Sequence, residues 1–151
     1  MKFKKILFAL VITSTLAIVS CKETADEIND NFTPSVSATV GTTEWSTNIV
    51  AGVTSSTFVI SASKSPEAII LTIPVKTVGV YPIDGVNNLA FFAPNTDSLD
   101  QAYIAYSGSI EITSINASGN QLDGKFNFTG INTSFDTLSI SNGILKNVPV
   151  K

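Results

Sequence analysis

The sequence predicts an all-β domain, an antiparallel β-sandwich or partly open barrel of about eight to ten strands. Two observations carry this expectation. From residue 35 onward apolar side chains recur with period two in segments rich in Val, Ile, Thr and Phe, the spacing that turns one face of a strand inward. Gly, Asn, Asp and Pro interrupt these segments at short intervals, which is turn chemistry. No helix longer than a turn or two is expected.

The first strand is expected over Ser35–Val40, a turn at Gly41-Thr42, and a second strand over residues 44–49 that carries Trp45. Residues 57–63 place Phe58, Ile60 and Ala62 on one face, and residues 68–74 place Ile69, Leu71 and Ile73 on one face. If residues 64–67 form the loop between them, Ala62 faces Ile69, Ile60 faces Leu71 and Phe58 faces Ile73. Register and apolar pattern then agree, as a buried sheet face requires. Shorter strands follow at residues 80–83, Leu89–Ala93 and 103–106, separated by loops at 84–88 and 94–101. Residues 109–115 and 121–129 pair across Asn116-Ala117-Ser118-Gly119-Asn120, setting Ile110 opposite Phe126 and Ile112 opposite Gly124. Last come Leu138 and Ile140, then Asn142-Gly143, then Ile144, Val148 and Val150. Asn-Gly is a strong hairpin signal. One extra residue as a bulge at that turn sets Leu138 opposite Val148 and unites the apolar faces.

The start of the chain is different in kind. Lys2, Lys4 and Lys5 precede an apolar stretch from Ile6 to Val19 interrupted by Thr13, Ser14 and Thr15. A basic start, a short apolar run and small residues before a cut site mark a secretory signal peptide. A membrane-spanning helix needs about 20 apolar residues, more than this run supplies. Ile18-Val19-Ser20-Cys21 resembles the lipobox of bacterial lipoproteins. The resemblance implies a diacylglycerol on the Cys21 thiol, cleavage before Cys21, and acylation of the new amine. One acyl chain holds a protein to a membrane only marginally, whereas two or more make the attachment lasting. The expected organisation is a signal peptide at residues 1–20, a lipidated Cys21 with an acidic tether through residue 34, and a β-domain at 35–151. The tether has a coil span of about 20 Å. Lys22-Glu23 resembles the surface-export signal of flavobacterial-type lipoproteins and equally suits the start of a solvated tether, so an outer-membrane address leaves the periplasmic and cell-surface faces both open. No aspartate follows Cys21 directly, so the retention signal of enteric inner-membrane lipoproteins is absent.

Composition narrows the chemistry. Removing residues 1–20 takes three of the nine lysines and none of the twelve acids, leaving a formal charge of −6, and the chain has no arginine. Such a surface has little with which to clamp phosphates, so nucleic acid is not an expected partner, and the membrane link is expected to be the lipid alone. The lone cysteine belongs to the lipobox, so the fold gains nothing from disulfides. The chain has no histidine, which removes the usual general base near neutral pH and the commonest metal ligand. Ser-His-Asp, Cys-His and His/Cys zinc sites are thereby excluded.

Several segments resemble small flavobacterial-type lipoproteins built around a domain of unknown function. They are Ser37-Ala38-Thr39-Val40-Gly41-Thr42-Thr43-Glu44-Trp45, Gly108-Ser109-Ile110-Glu111-Ile112-Thr113, Asp123-Gly124-Lys125-Phe126-Asn127-Phe128, and the stretch from Ser141 to Val150. This chain has Asp123 where the family often carries a small residue and Ile144 where an aromatic is common. The resemblance implies a β-rich envelope lipoprotein and supplies no activity.

Candidate sites follow from what composition leaves. Asp97 and Asp100 on one loop, with Asp84 on another, could offer oxygen ligands to Ca²⁺, which takes six to eight at roughly 2.3–2.6 Å. Their spacing matches no calcium motif, and solvated loop carboxylates explain them. No other cofactor is expected. Glu44 and Glu111 would need to lie about 5–9 Å apart for glycoside hydrolysis; solubilising sheet-surface charges are the simpler account. Trp45, Phe91, Phe92, Tyr103 and Tyr106 could stack on sugar rings, although aromatics at strand spacing belong first to the core. Tyr103 and Tyr106 are the pair expected at the surface. The expectation is a non-enzymatic, lipid-anchored envelope domain that binds a glycan or an envelope protein or serves structurally. A carboxylate-dependent glycan-active enzyme and an accessory subunit of an outer-membrane assembly are the alternatives.

Overall fold

The computed structural model describes residues 33–54, 57–74, 77–116, 118 and 120–150. The signal segment, Cys21 and the tether as far as residue 32 lie outside the described residues. Ten strands follow in chain order: β1 (Ser35–Val40), β2 (Thr43–Thr47), β3 (Val50–Thr54), β4 (Phe58–Lys64), β5 (Glu67–Ile73), β6 (Gly79–Pro82), β7 (Leu89–Ala93), β8 (Tyr103–Ile115), β9 (Gln121–Ile131) and β10 (Thr137–Pro149). A single 3₁₀ turn, Leu99–Gln101, precedes β8.

The strands form one antiparallel sheet in the order β2-β1-β10-β9-β8-β7-β5-β4-β3, nearly closed into a barrel. Strand β6 lies off this path and pairs with the second half of β8. The seam between the two sheet ends is fastened from both sides. Thr47 Oγ1 donates to the Ser63 carbonyl at 2.5 Å, and Ser63 N–H donates to the Ile49 carbonyl at 2.9 Å. Gly52 of β3 lies so close to β10 that a Cβ there would sit 2.0 Å from the Pro149 carbonyl oxygen. Only glycine lets the two backbones meet there.

Alternation produces the core as expected. In β9 the inward residues are Leu122, Gly124, Phe126, Phe128 and Gly130, while Lys125 and Asn127 face solvent. Phe58, Ile60, Ile69, Leu71, Ile73, Ile110, Ile112, Phe126, Ile140 and Leu145 are each at most 2 % exposed, and each such side chain contributes about 1.5–3 kcal/mol by leaving water. These side chains fill the barrel interior. The expected pairs Ala62–Ile69, Ile60–Leu71 and Phe58–Ile73 occur in register, as do Ile110–Phe126 and Ile112–Gly124.

Three expectations are corrected. Strand β3, between Ile49 and Phe58, was not anticipated. Residues 103–106 and 109–115 belong to one 13-residue strand, because a bulge between Ala105 and Ser107 resets the alternation without ending the strand. Asn142-Gly143 is not a hairpin: β10 runs straight through it, pairing with β9 on one side and β1 on the other. Leu138 therefore faces Gly130, and Val148 faces Leu122. The left-handed conformation that Asn-Gly signals is present at Asn142, with φ 52°, but it serves a bulge inside the strand. Gly143 is buried against Phe126, where a Cβ would lie 2.4 Å from the Phe126 carbonyl oxygen.

Asp123 braces two further irregularities at once. Its carboxylate accepts from the Ser114 hydroxyl at 2.9 Å and from the Asn147 N–H at 2.8 Å. Ser114 follows a bulge in β8, and Asn147, at φ 51°, lies in a second bulge of β10. A small residue here could not bridge the two neighbouring strands.

Candidate functional site

Because the interior is packed, the surfaces open to a partner lie on the outside of the barrel. One outer concavity is apolar. Ile70 of β5, Phe91 and Ala93 of β7, Leu99 and Ala102 beside the 3₁₀ turn, and Ile104 of β8 line a groove of about 330 Å³. Its floor is a cross-strand row in which Ile70 faces Phe91 and Phe91 faces Ile104. Leu99 is 68 % exposed and Ile104 53 %.

The β9–β10 hairpin borders this groove. Thr133 Oγ1 donates to the Asp100 carbonyl at 2.9 Å, tying the hairpin tip to the turn that carries Leu99. The tip, residues 132–136, is closed by Asn132: its side-chain oxygen accepts from Ser134 N–H at 3.0 Å and Asp136 N–H at 2.9 Å, and its carbonyl accepts from Phe135 N–H at 3.0 Å. This geometry puts Phe135 at φ 66° with its side chain 82 % exposed. A left-handed turn position is normally filled by Gly or Asn, and a bulky residue there is strained. Neither packing nor local stability accounts for an aromatic held there and left in water.

A second, neutral concavity of about 450 Å³ lies on the outer face of β8–β10 and includes Ser107, Asn127, Thr129, Ser139 and Ser141 in its lining. In register, Ser107 faces Thr129 and Thr129 faces Ser139.

The residues singled out in the sequence are distributed differently. Tyr103 is half-buried, packs against the core and has its ring centroid 6.4 Å from that of Phe92, whereas Tyr106 is 57 % exposed. The two do not form an exposed pair. Trp45 and Phe92 are core residues, and Phe91 alone of the suggested aromatics lines a groove. Glu44 is on β2 and Glu111 on β8, with β1, β10 and β9 between them, so they do not meet in one cleft.

Asp97 and Asp100 lie on the exposed loop above the apolar groove. The Asp100 carboxylate accepts from Ser98 Oγ at 2.5 Å, and Asp97 is held through its N–H by the Asn95 side chain at 2.9 Å. Among the described residues no group of three or more His, Cys, Asp or Glu side chains is placed to hold a metal. Asp84 clasps its own loop, accepting from the N–H groups of Val86, Asn87 and Asn88 at 2.8–2.9 Å. These backbone donors hold its carboxyl well below the usual carboxylate range.

Sequence reasoning missed Phe135, Leu99 and Ile104. The available signal was a large apolar residue stranded in a polar loop, Asn132-Thr133-Ser134-Phe135-Asp136 and Asp97-Ser98-Leu99-Asp100.

The described residues thus make one antiparallel sheet nearly closed into a barrel, with a packed interior and an apolar groove on its outer face. The family described as a domain of unknown function (DUF6252) matches residues 32–149, and the chain belongs to it. Neither a curated protein nor a solved structure matches the chain.

Proposed function

We propose that the chain is a cell-envelope lipoprotein, cut before Cys21 and lipid-anchored there to the outer membrane, whose barrel is a non-enzymatic module that binds a protein partner. The lipobox and basic start support the anchor. The absence of histidine and the commitment of the lone cysteine to the lipobox support the non-enzymatic reading. One observation carries the binding role: Phe135, strained at φ 66° and 82 % exposed, stands in the hairpin tied to the rim of an apolar groove. Exposed aromatic and aliphatic anchors of this kind dominate the energy of protein contacts.

Two measurements test the reading. Intact mass of the protein from membranes should give a polypeptide beginning at Cys21 and carrying diacylglycerol and an amide-linked acyl chain such as palmitate. A photoactivatable residue at position 99 should give discrete protein crosslinks in intact envelopes that vanish with Phe135→Ser. An unmodified thiol would remove the anchor, and crosslinks indifferent to Phe135→Ser would remove the binding role.

A further inference from the structure

The outer face of β8–β10 is hollowed where bulged strands flank a strand that keeps its alternation. In β8 the bulge between Ala105 and Ser107 leaves Tyr106 and Ser107 both exposed. In β10 the bulge between Ile140 and Gly143 sets Ser141 and Asn142 between two buried residues, and neither of the two is buried. Strand β9, between them, alternates without a break from Leu122 to Gly130. A bulge bends its strand and re-aims the side chains it displaces, and the concavity of about 450 Å³ spans both bulges. Its floor is low, because Gly108 comes so close to β9 that a Cβ there would lie 2.2 Å from the Asn127 carbonyl oxygen.

The chemistry of this hollow is uniform. Ser107, Thr129 and Ser139 stand in one cross-strand row that spans about 10 Å over three strands, and Asn127 lies two residues along β9, about 7 Å from it. Among the described residues no charged side chain lines the hollow. Among the same residues, none of the hydroxyls of Ser107, Thr129, Ser139 and Ser141 bonds to another protein group. Asn127 Nδ2 donates to Ser109 Oγ at 3.3 Å, which leaves the amide oxygen to accept. The ionised groups stand outside: Glu111 and Lys125 face each other one outward position further along, and Glu44 is two strands away on β2.

We propose that this hollow binds a neutral carbohydrate chain. A hydroxyl both donates and accepts, and so does each hydroxyl of a sugar, so the four free hydroxyls and the Asn127 oxygen can pair with such a ligand in either sense. A carboxylate only accepts and an ammonium only donates, and an ionised ligand would give up water here with no countercharge to replace it. Tyr106, 57 % exposed and adjoining Ser107, offers an aromatic face at the β8 margin for the apolar face of a sugar ring. The row from Ser107 to Ser139 is long enough for more than one ring. This site is separate from the groove that carries the protein-binding reading, and neither depends on the other.

The test is two-dimensional amide NMR of the mature protein in a detergent without a sugar head group. The probes are maltohexaose, cellohexaose and chitohexaose, with hexagalacturonate as the charged comparator. At least one neutral probe is expected to give saturable shifts centred on residues 107–108, 127–129 and 139–141, and hexagalacturonate to give weaker ones. Thr129→Val with Ser139→Ala, which keeps the shape and removes two hydroxyls, should weaken that binding at least about ten-fold. Tyr106→Ala should weaken it too, and Phe135→Ser should leave it unchanged. Melts and the amides of the core identify a variant that has failed to fold, and the wild-type shift map and the probe ranking then decide. No saturable shift with any neutral probe, shifts centred elsewhere, or equal binding of hexagalacturonate overturns the proposal. So does binding indifferent to the loss of the two hydroxyls in a folded variant.

Discussion

Replacing Phe135 with Asn should make the protein more stable, although it removes a large apolar side chain. At φ 66° the L-configured Cβ crowds the following carbonyl, a conflict worth about 1–2 kcal/mol for an ordinary residue and much less for Asn. Little is lost in exchange, since the ring is 82 % exposed in the folded protein and has little buried area to forfeit. The N–H of residue 135 still donates to the Asn132 carbonyl at 3.0 Å, so the loop closure survives. The net gain should be about 0.5–1.5 kcal/mol, or a melting-temperature rise of roughly 2–6 °C for a domain of this size. Phe135→Gly should gain less, because glycine also loosens the unfolded chain by about 0.5–1 kcal/mol. Urea titration followed by Trp45 fluorescence, with a calorimetric melt, reads both. A loss of stability in Phe135→Asn would refute the assignment of strain at this position. With the strain goes the main reason for regarding the aromatic as retained for contact.

Other substitutions probe the frame. Asp123→Ala should cost about 1–2 kcal/mol in urea unfolding, since it removes the carboxylate that accepts from the half-buried Asn147 N–H and from the exposed Ser114 hydroxyl; Asp123→Asn, which keeps an acceptor, should cost less. Gly143→Ala should cost about 1–3 kcal/mol and speed amide exchange in β10, because the new Cβ would press on Phe126. The Asp84 carboxyl, with its pKa lowered on folding, stabilises the folded state above the ordinary carboxylate pKa of about 4, and that contribution fades as pH falls toward its folded value. Comparing wild type with Asp84→Asn by urea unfolding should therefore show a difference near neutral pH that shrinks in acid; a difference that grew in acid would reverse the sign of the argument.

What was legible in the sequence is what period two determines. Phe58, Ile60 and Ala62 against Ile73, Leu71 and Ile69 could be paired by eye, because a one-residue slip would have turned the three of one strand into water. The unread parts are where the backbone leaves that period. The bulge after Ala105 puts Tyr106 and Ser107 out of phase with the residues before them, so one long strand read as two. The left-handed preference of Asn142 is the same chemistry in a hairpin and in a bulge, and only its neighbours β1 and β9 decide between them. Strand β3 holds Gly52 at its centre because β10 passes against it, a demand made by a segment nearly a hundred residues away. The candidate site was hidden for a related reason. Tyr103 and Tyr106 invited attention as aromatics in a strand, whereas Phe135 and Leu99 gain meaning only when the Thr133–Asp100 hydrogen bond brings their loops together.

The pairing of β1 with β10 also sets an order of events. Thr39 and Asn142, joined by a hydrogen bond, are 103 residues apart, and linking such distant segments is slow because the intervening loop must be ordered first. A growing chain can form the β1–β2 hairpin early, but that hairpin has no neighbour in the sheet until the last strand is made. Truncation anywhere within residues 137–149 should therefore leave the first two strands stranded rather than yield a smaller barrel. The sheet of a nascent chain therefore stays open, its first hairpin without a neighbour, until β10 has emerged.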